Sequence, residues 1–171
     1  MRNKIAIALA VIITGTVCGA QAQGEKKMLT LTSPAFKPHQ SIPVKYTCQG
    51  ENVNPPLLIG NIPGGTKSLA LIMDDPDAPA GVWVHWVLYN ISPTDRIAEN
   101  SIPGHQGIND FRRANYGGPC PPSGKHRYFF KLYALDEMLS LTGEVRRGDL
   151  LKAMEGRVLG KAELIGLYRK E

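Results

Sequence analysis

Short apolar runs rich in β-branched and aromatic residues punctuate this chain, separated by clusters of Gly, Pro, Asn and Asp. The runs are Leu29–Thr32, Val44–Cys48, Leu69–Met73, Val82–Ile91, Tyr128–Leu135 and Ala162–Tyr168. Runs of this length bounded by turn formers predict strands and a mainly β domain. Leu69–Met73 has no polar member, which predicts a central strand covered on both faces. Alternation through Trp83–Tyr89 places Trp83, His85, Val87 and Tyr89 on one face. One helix is predicted, with Asp149 as its cap, Leu150, Leu151, Met154 and Val158 on one face, and Gly160 at its exit. Gly156 inside it weakens it by up to about 1 kcal/mol. This helix reads as a lid over the sheet. No repeat, coiled coil or low-complexity tract is present.

From Ser92 to Lys125 the periodicity fades, and glycines (Gly104, Gly107, Gly117, Gly118, Gly124) mix with Pro103, Pro119, Pro121 and Pro122. Long irregular loops in small domains serve a site or are disordered. Phe111, Tyr116 and the four prolines argue for a packed loop, and it delivers the chain to His126.

The beginning of the 171-residue chain is of a different kind. Arg2 and Lys4 precede an apolar segment, Ile5–Ile13, and Ala20-Gln21-Ala22 offers small residues for cleavage. This predicts an export signal over residues 1–22, cleaved near Ala22–Gln23, and a periplasmic or secreted protein. The apolar segment is shorter than the roughly 20 residues of a membrane span, and no later segment qualifies. A lipoprotein reading through Cys18 is disfavoured by the bulky Val17 before it. Residues 23–171 then form one domain. With the signal removed, 18 Lys and Arg face 15 acids, a net charge of +3. That mild balance, without a basic helix or basic-aromatic stripe, excludes a nucleic-acid protein. Two cysteines remain, Cys48 and Cys120. Export favours one disulfide between them over two buried thiols.

Candidate chemistry concentrates in two short segments. In Asp75-Pro76-Asp77-Ala78-Pro79 two prolines fix the backbone around two carboxylates. The Ala78–Pro79 bond is a candidate for the cis isomer. In Pro121-Pro122-Ser123-Gly124-Lys125-His126-Arg127, a turn opens a strand with His126 exposed at its mouth. Arg127 alternates to the opposite face, where it can clamp Asp77. Plainer readings compete: the aspartates can cap turn amides, and His85 in an apolar strand can be a satisfied core group. An anion pocket would use the imidazoles, loop amides near Gly117-Gly118 and a nearby Asp. A metal-assisted hydrolase would use Asp75, His85 and His126. The chain lacks both Gly-x-Ser-x-Gly and His-Glu-x-x-His. Gly118 to Lys125 is no phosphate loop: the spacing is one residue too long, and His126 stands where Ser or Thr is required. A third reading is an inhibitor or interaction protein working through its surface loops.

These segments carry a resemblance. Tyr46-Thr47-Cys48-Gln49-Gly50, Asn54-Pro55-Pro56-Leu57, Asp75-Pro76-Asp77-Ala78-Pro79 and His85-Trp86-Val87-Leu88-Tyr89-Asn90-Ile91 occur in that order. Tyr116-Gly117-Gly118-Pro119-Cys120-Pro121-Pro122 and Gly124-Lys125-His126-Arg127-Tyr128 follow. Together they resemble the phosphatidylethanolamine-binding (Raf kinase inhibitor) proteins, in the bacterial YbhB/YbcL-like branch. The resemblance implies a central antiparallel sheet, a second smaller sheet and a small cavity for phosphate or a phosphorylated headgroup. On matching positions that cavity is built from Asp75, Pro79, His85, Pro122, His126 and Tyr128, with no cofactor. It further implies a non-enzymatic binding protein that can modulate another protein, and, from bacterial relatives, a homodimer. Animal members bind phospholipid headgroups and restrain kinases, with a C-terminal helix beside the pocket. Residues 162–168 read instead as a strand, so kinase regulation is not carried over. Arg112, after Asn109-Asp110-Phe111, occupies a place where glycine is expected.

Overall fold

The computed structural model describes residues 27–170. The expected export signal over residues 1–22, with Cys18, lies outside the described residues. Two antiparallel sheets face one another. The smaller joins β1 (Thr30–Thr32), β2 (Leu57–Gly60) and β5 (Arg96–Ile97). The larger has the order β6-β4-β3-β7-β8, from β3 (Ser68–Asp75), β4 (Trp83–Ile91), β6 (His105–Gln106), β7 (Lys125–Leu135) and β8 (Val158–Arg169).

The uninterrupted apolar run becomes β3, the middle strand of the larger sheet, and every one of its residues is buried. One face, with Leu69, Leu71, Met73, Trp86, Leu88 and Phe130, packs on Leu31, Leu57 and Ile59 of the smaller sheet. The other face, with Ala70, Ile72, Val84 and Val87, is covered by α1 (Arg147–Ala153) through Leu150 and by Met154 just beyond it. Asp74 lies on this second face with no exposed surface. Both its oxygens accept from Lys131 Nζ at 2.8 Å, and Arg147 Nε stands 3.5 Å away.

Alternation along β4 does not survive. Asp74 pairs with Val84 but Met73 pairs with Trp86, so His85 is the extra residue of a β-bulge. The bulge reverses the phase. Trp83 and His85 keep to the Met73 side, whereas Val87 and Tyr89 pack on the helix side. A second irregularity, where Asn90 takes φ +53°, restores Ile91 to the first face.

Three other expectations are corrected. Val44–Tyr46 forms a 3-10 turn rather than a strand, because Pro43 starts it at φ −57° and the Thr47 hydroxyl donates to the Val44 carbonyl at 2.9 Å. The helix begins at Arg147, with Asp149 in its first turn accepting the Arg146 backbone N–H at 2.9 Å. It ends before Gly156, whose φ of +74° turns the chain so that Val158 and Gly160 belong to β8. Among the described residues no peptide bond is cis, Ala78–Pro79 included. The reversal there comes from Gly81, at φ +99°, donating its N–H to the Ala78 carbonyl at 3.0 Å. The strand β2 escapes the sequence pattern because it is short and abuts two prolines.

Replacing Asp74 with Ala strands Lys131 and Arg147 without their carboxylate. A loss of about 3 kcal/mol is expected in urea denaturation, at the low end for buried pairs because Lys131 is partly exposed. An unchanged midpoint would contradict this account of the helix-sheet contact.

Candidate functional site

Strand parity builds the site. Residues 71, 73 and 75 of β3, and 126, 128 and 130 of β7, point to the face shared with the smaller sheet. The bulge aims His85 to that same side. Asp75, His85, His126 and Tyr128 therefore converge at one end of three neighbouring strands, all nearly or fully buried.

Each oxygen of Asp75 has a task. One accepts the Asp77 backbone N–H at 2.8 Å and holds the Asp-Pro-Asp turn; the other pairs with His126 Nδ1 at 2.7 Å. His126 is thus buried, not exposed at the strand mouth, because the carboxylate draws its ring inward beneath the turn. His85 Nδ1 donates to the Gly117 carbonyl at 2.6 Å, which fixes its tautomer. Both rings leave Nε2 without a protein hydrogen-bond partner among the described residues. Burial pulls the His85 pKa below 6.5, against the Gly117 carbonyl and the Asp75 charge, which favour the proton. The Tyr128 hydroxyl is buried without a hydrogen-bond partner. Burial first, and then the neighbouring Asp75 charge, push this phenol well above its ordinary range.

The cavity against these groups measures about 260 Å³. Asp75, Pro79, His85 and Pro122 line it directly, together with Ala78, Ala80, Trp83, Phe111 and Cys120. His126 and Tyr128 stand behind that wall, the first against Asp75 and the second against the His85 ring at 5.2 Å. Polar groups thus occupy the floor and apolar groups the rim. Arg127 grips Asp77 with two guanidinium nitrogens, at 2.9 and 2.6 Å, and with its backbone N–H at 2.9 Å. This grip lowers the Asp77 pKa to about 2. Cys48 and Cys120 are disulfide-bonded with Cα atoms 5.4 Å apart. Among the described residues no group of three His, Cys, Asp or Glu side chains is placed to hold a metal ion.

The loop amides are used differently from expectation. Gly117 N–H donates to the His85 carbonyl at 3.0 Å and Gly118 N–H to Asn52 Oδ1 at 2.7 Å, so neither is free for an anion. Asn109, fully buried, escaped the sequence reading. Its Nδ2 donates to the Asn115 carbonyl at 2.8 Å and the His85 carbonyl at 3.2 Å, and its Oδ1 accepts the Arg113 N–H at 3.1 Å. The Asn-Asp-Phe run was its one signal. Arg112 takes φ +61°, the conformation that favours glycine, and carries Phe111 over the cavity.

Residues 32–169 match the family model for phosphatidylethanolamine-binding proteins. The chain belongs to that family. It is 52% identical over 150 residues to a UPF0098 protein of Methanothermobacter thermautotrophicus, covering 83% of this chain and 99% of the relative. A Pyrococcus horikoshii UPF0098 protein is 45% identical over 183 residues, covering 100% and 91%. Among solved structures, a phosphatidylethanolamine-binding protein homologue of Chlamydia trachomatis superposes with a TM-score of 0.82 at 44% identity, over 84% of this chain and 99% of that one. Escherichia coli YbcL gives 0.78 at 27% identity, over 85% and 100%.

His85 generates a pH prediction. Its proton affinity is lower folded than unfolded, so the stability it contributes is present above pH 6.5 and is lost as pH falls toward the depressed folded value. Denaturant midpoints measured from pH 8 to 5 should fall, and His85→Gln should flatten that slope. Parallel slopes for the two proteins would refute the assignment.

Proposed function

We propose that this protein is an exported, non-enzymatic binding protein whose cavity takes phosphate or a phosphorylated headgroup, through which it modulates another protein. The observation that carries the reading is the inward His85 imidazole, held through Nδ1 in the wall of a small cavity beside Asp75, which His126 fixes from behind. The His85 Nε2 can donate to a phosphoryl oxygen once protonated, and the buried setting strengthens such a bond. Asp75 in the wall disfavours a fully ionised dianion. It suits a phosphate that keeps one proton, or a headgroup whose ammonium meets the carboxylate. Family membership supports binding as the general activity.

Calorimetry with inorganic phosphate and phosphoethanolamine tests the reading. His85→Gln should weaken both by about ten-fold or more, the loss of one charge-assisted hydrogen bond. His126→Ala should weaken both by less, since His126 acts through Asp75. Affinity should fall as pH rises, first through the depressed His85 titration below 6.5 and then as the phosphate loses its remaining proton. Affinity that neither substitution nor pH alters would overturn the assignment.

A further inference from the structure

A second cavity, of about 240 Å³, adjoins the first and shares Phe111 and Cys120 as its wall. Gly117 and Gly118 line it. A side chain at Gly117 would strike the Phe111 ring at 2.6 Å, and one at Gly118 would strike the Tyr46 carbonyl at 2.5 Å. The bare backbone therefore lets Phe111 sit edge-on to His85, ring centres 5.3 Å apart, as a partition between the two hollows.

The side-chain hydrogen-bonding inventory of this second cavity is one-sided. Asn52 Oδ1 already accepts the Gly118 N–H at 2.7 Å, and Asn115 Oδ1 faces Asn109 Nδ2 at 3.4 Å. A backbone N–H can only donate, so the orientation of the Asn52 amide is settled. The side-chain groups that remain for a guest are Asn52 Nδ2, Asn115 Nδ2 and the Arg113 guanidinium, all donors. Arg113 forms no ion pair among the described residues, whereas Arg127, Arg146, Arg147 and Arg157 each have a carboxylate nearby. One positive fork flanked by amide donors, with the side-chain acceptors engaged, matches a singly charged planar oxyanion.

We infer that the second cavity is a carboxylate subsite. The ligand this protein is built for then joins a phosphoryl group to a carboxylate across Phe111. The ligand statement rests on the phosphate reading of the first cavity; the subsite itself does not.

Two measurements on the full oxidised chain test it. In the first, acetate is titrated into 15N-labelled protein. The side-chain amides of Asn52 and Asn115 and the Arg113 Nε–H should shift, with the response kept in Arg112→Gln and lost in Arg113→Gln. Absence of shifts in the wild-type chain would overturn the subsite. In the second, calorimetry compares 3-phosphoglycerate with glycerol 3-phosphate, which lacks the carboxylate. The wild-type chain should prefer the former by about ten-fold. Arg113→Gln should erase the preference without weakening glycerol 3-phosphate. Arg112→Gln removes the same charge from a side chain outside the cavity and should leave the preference intact. Equal affinities, or a preference lost equally in both variants, would overturn the two-part ligand. Acetate shifts with neither phosphate bound would instead refute the phosphate reading and leave the carboxylate subsite standing.

Discussion

The Asp75 carboxylate lies where β3 ends, between β4 and β7, and its two oxygens are divided between backbone and side chain. One oxygen stabilises the turn that carries Pro79 to the cavity rim; the other fixes a buried imidazole. A carboxylate this deeply buried is tolerated because both oxygens are hydrogen-bonded, and it would be costly with either one free. The geometry of the turn, the orientation of His126 and the polarity of the cavity floor all follow from that single placement. Asp77 is the outward counterpart, held by Arg127 on the opposite parity of the same strand pair.

Around this centre the long loop behaves as a layer of the structure. Asn109 ties it to the His85 backbone, Gly117 accepts from the His85 ring, and the disulfide joins Cys120 to the segment beyond the 3-10 turn. The Tyr116 hydroxyl donates to the Tyr46 carbonyl at 2.8 Å, and Cys48 N–H donates to the Pro119 carbonyl at 3.1 Å. A loop anchored at so many points can present side chains with little entropy left to lose on binding.

Much of this was legible in the sequence, for identifiable reasons. Leu69–Met73 announced a doubly covered strand because no polar residue interrupts it. The opposite parity of His126 and Arg127 on β7 followed from alternation, and so did the Asp77 clamp. The disulfide partners were readable because only two cysteines follow Cys18. Alternation failed on β4, where a bulge adds a residue at His85 that no periodicity marks. It failed again for β2, too short to show a period, and for Asp149, whose capping bond operates from inside the helix. The roles of Gly117 and Asn109 were hidden because they act through main-chain partners, which composition does not encode.

The bonds that define the cavity span wide stretches of chain: 51 residues between Asp75 and His126, 32 between His85 and Gly117, and 72 between the cysteines. The lining residues all fall within residues 75–122, yet the bonds that orient them reach outside that stretch, to His126 and to Cys48. Walls drawn from one stretch of sequence thus enclose a hollow only after β3, β4 and β7 have paired and the disulfide has closed.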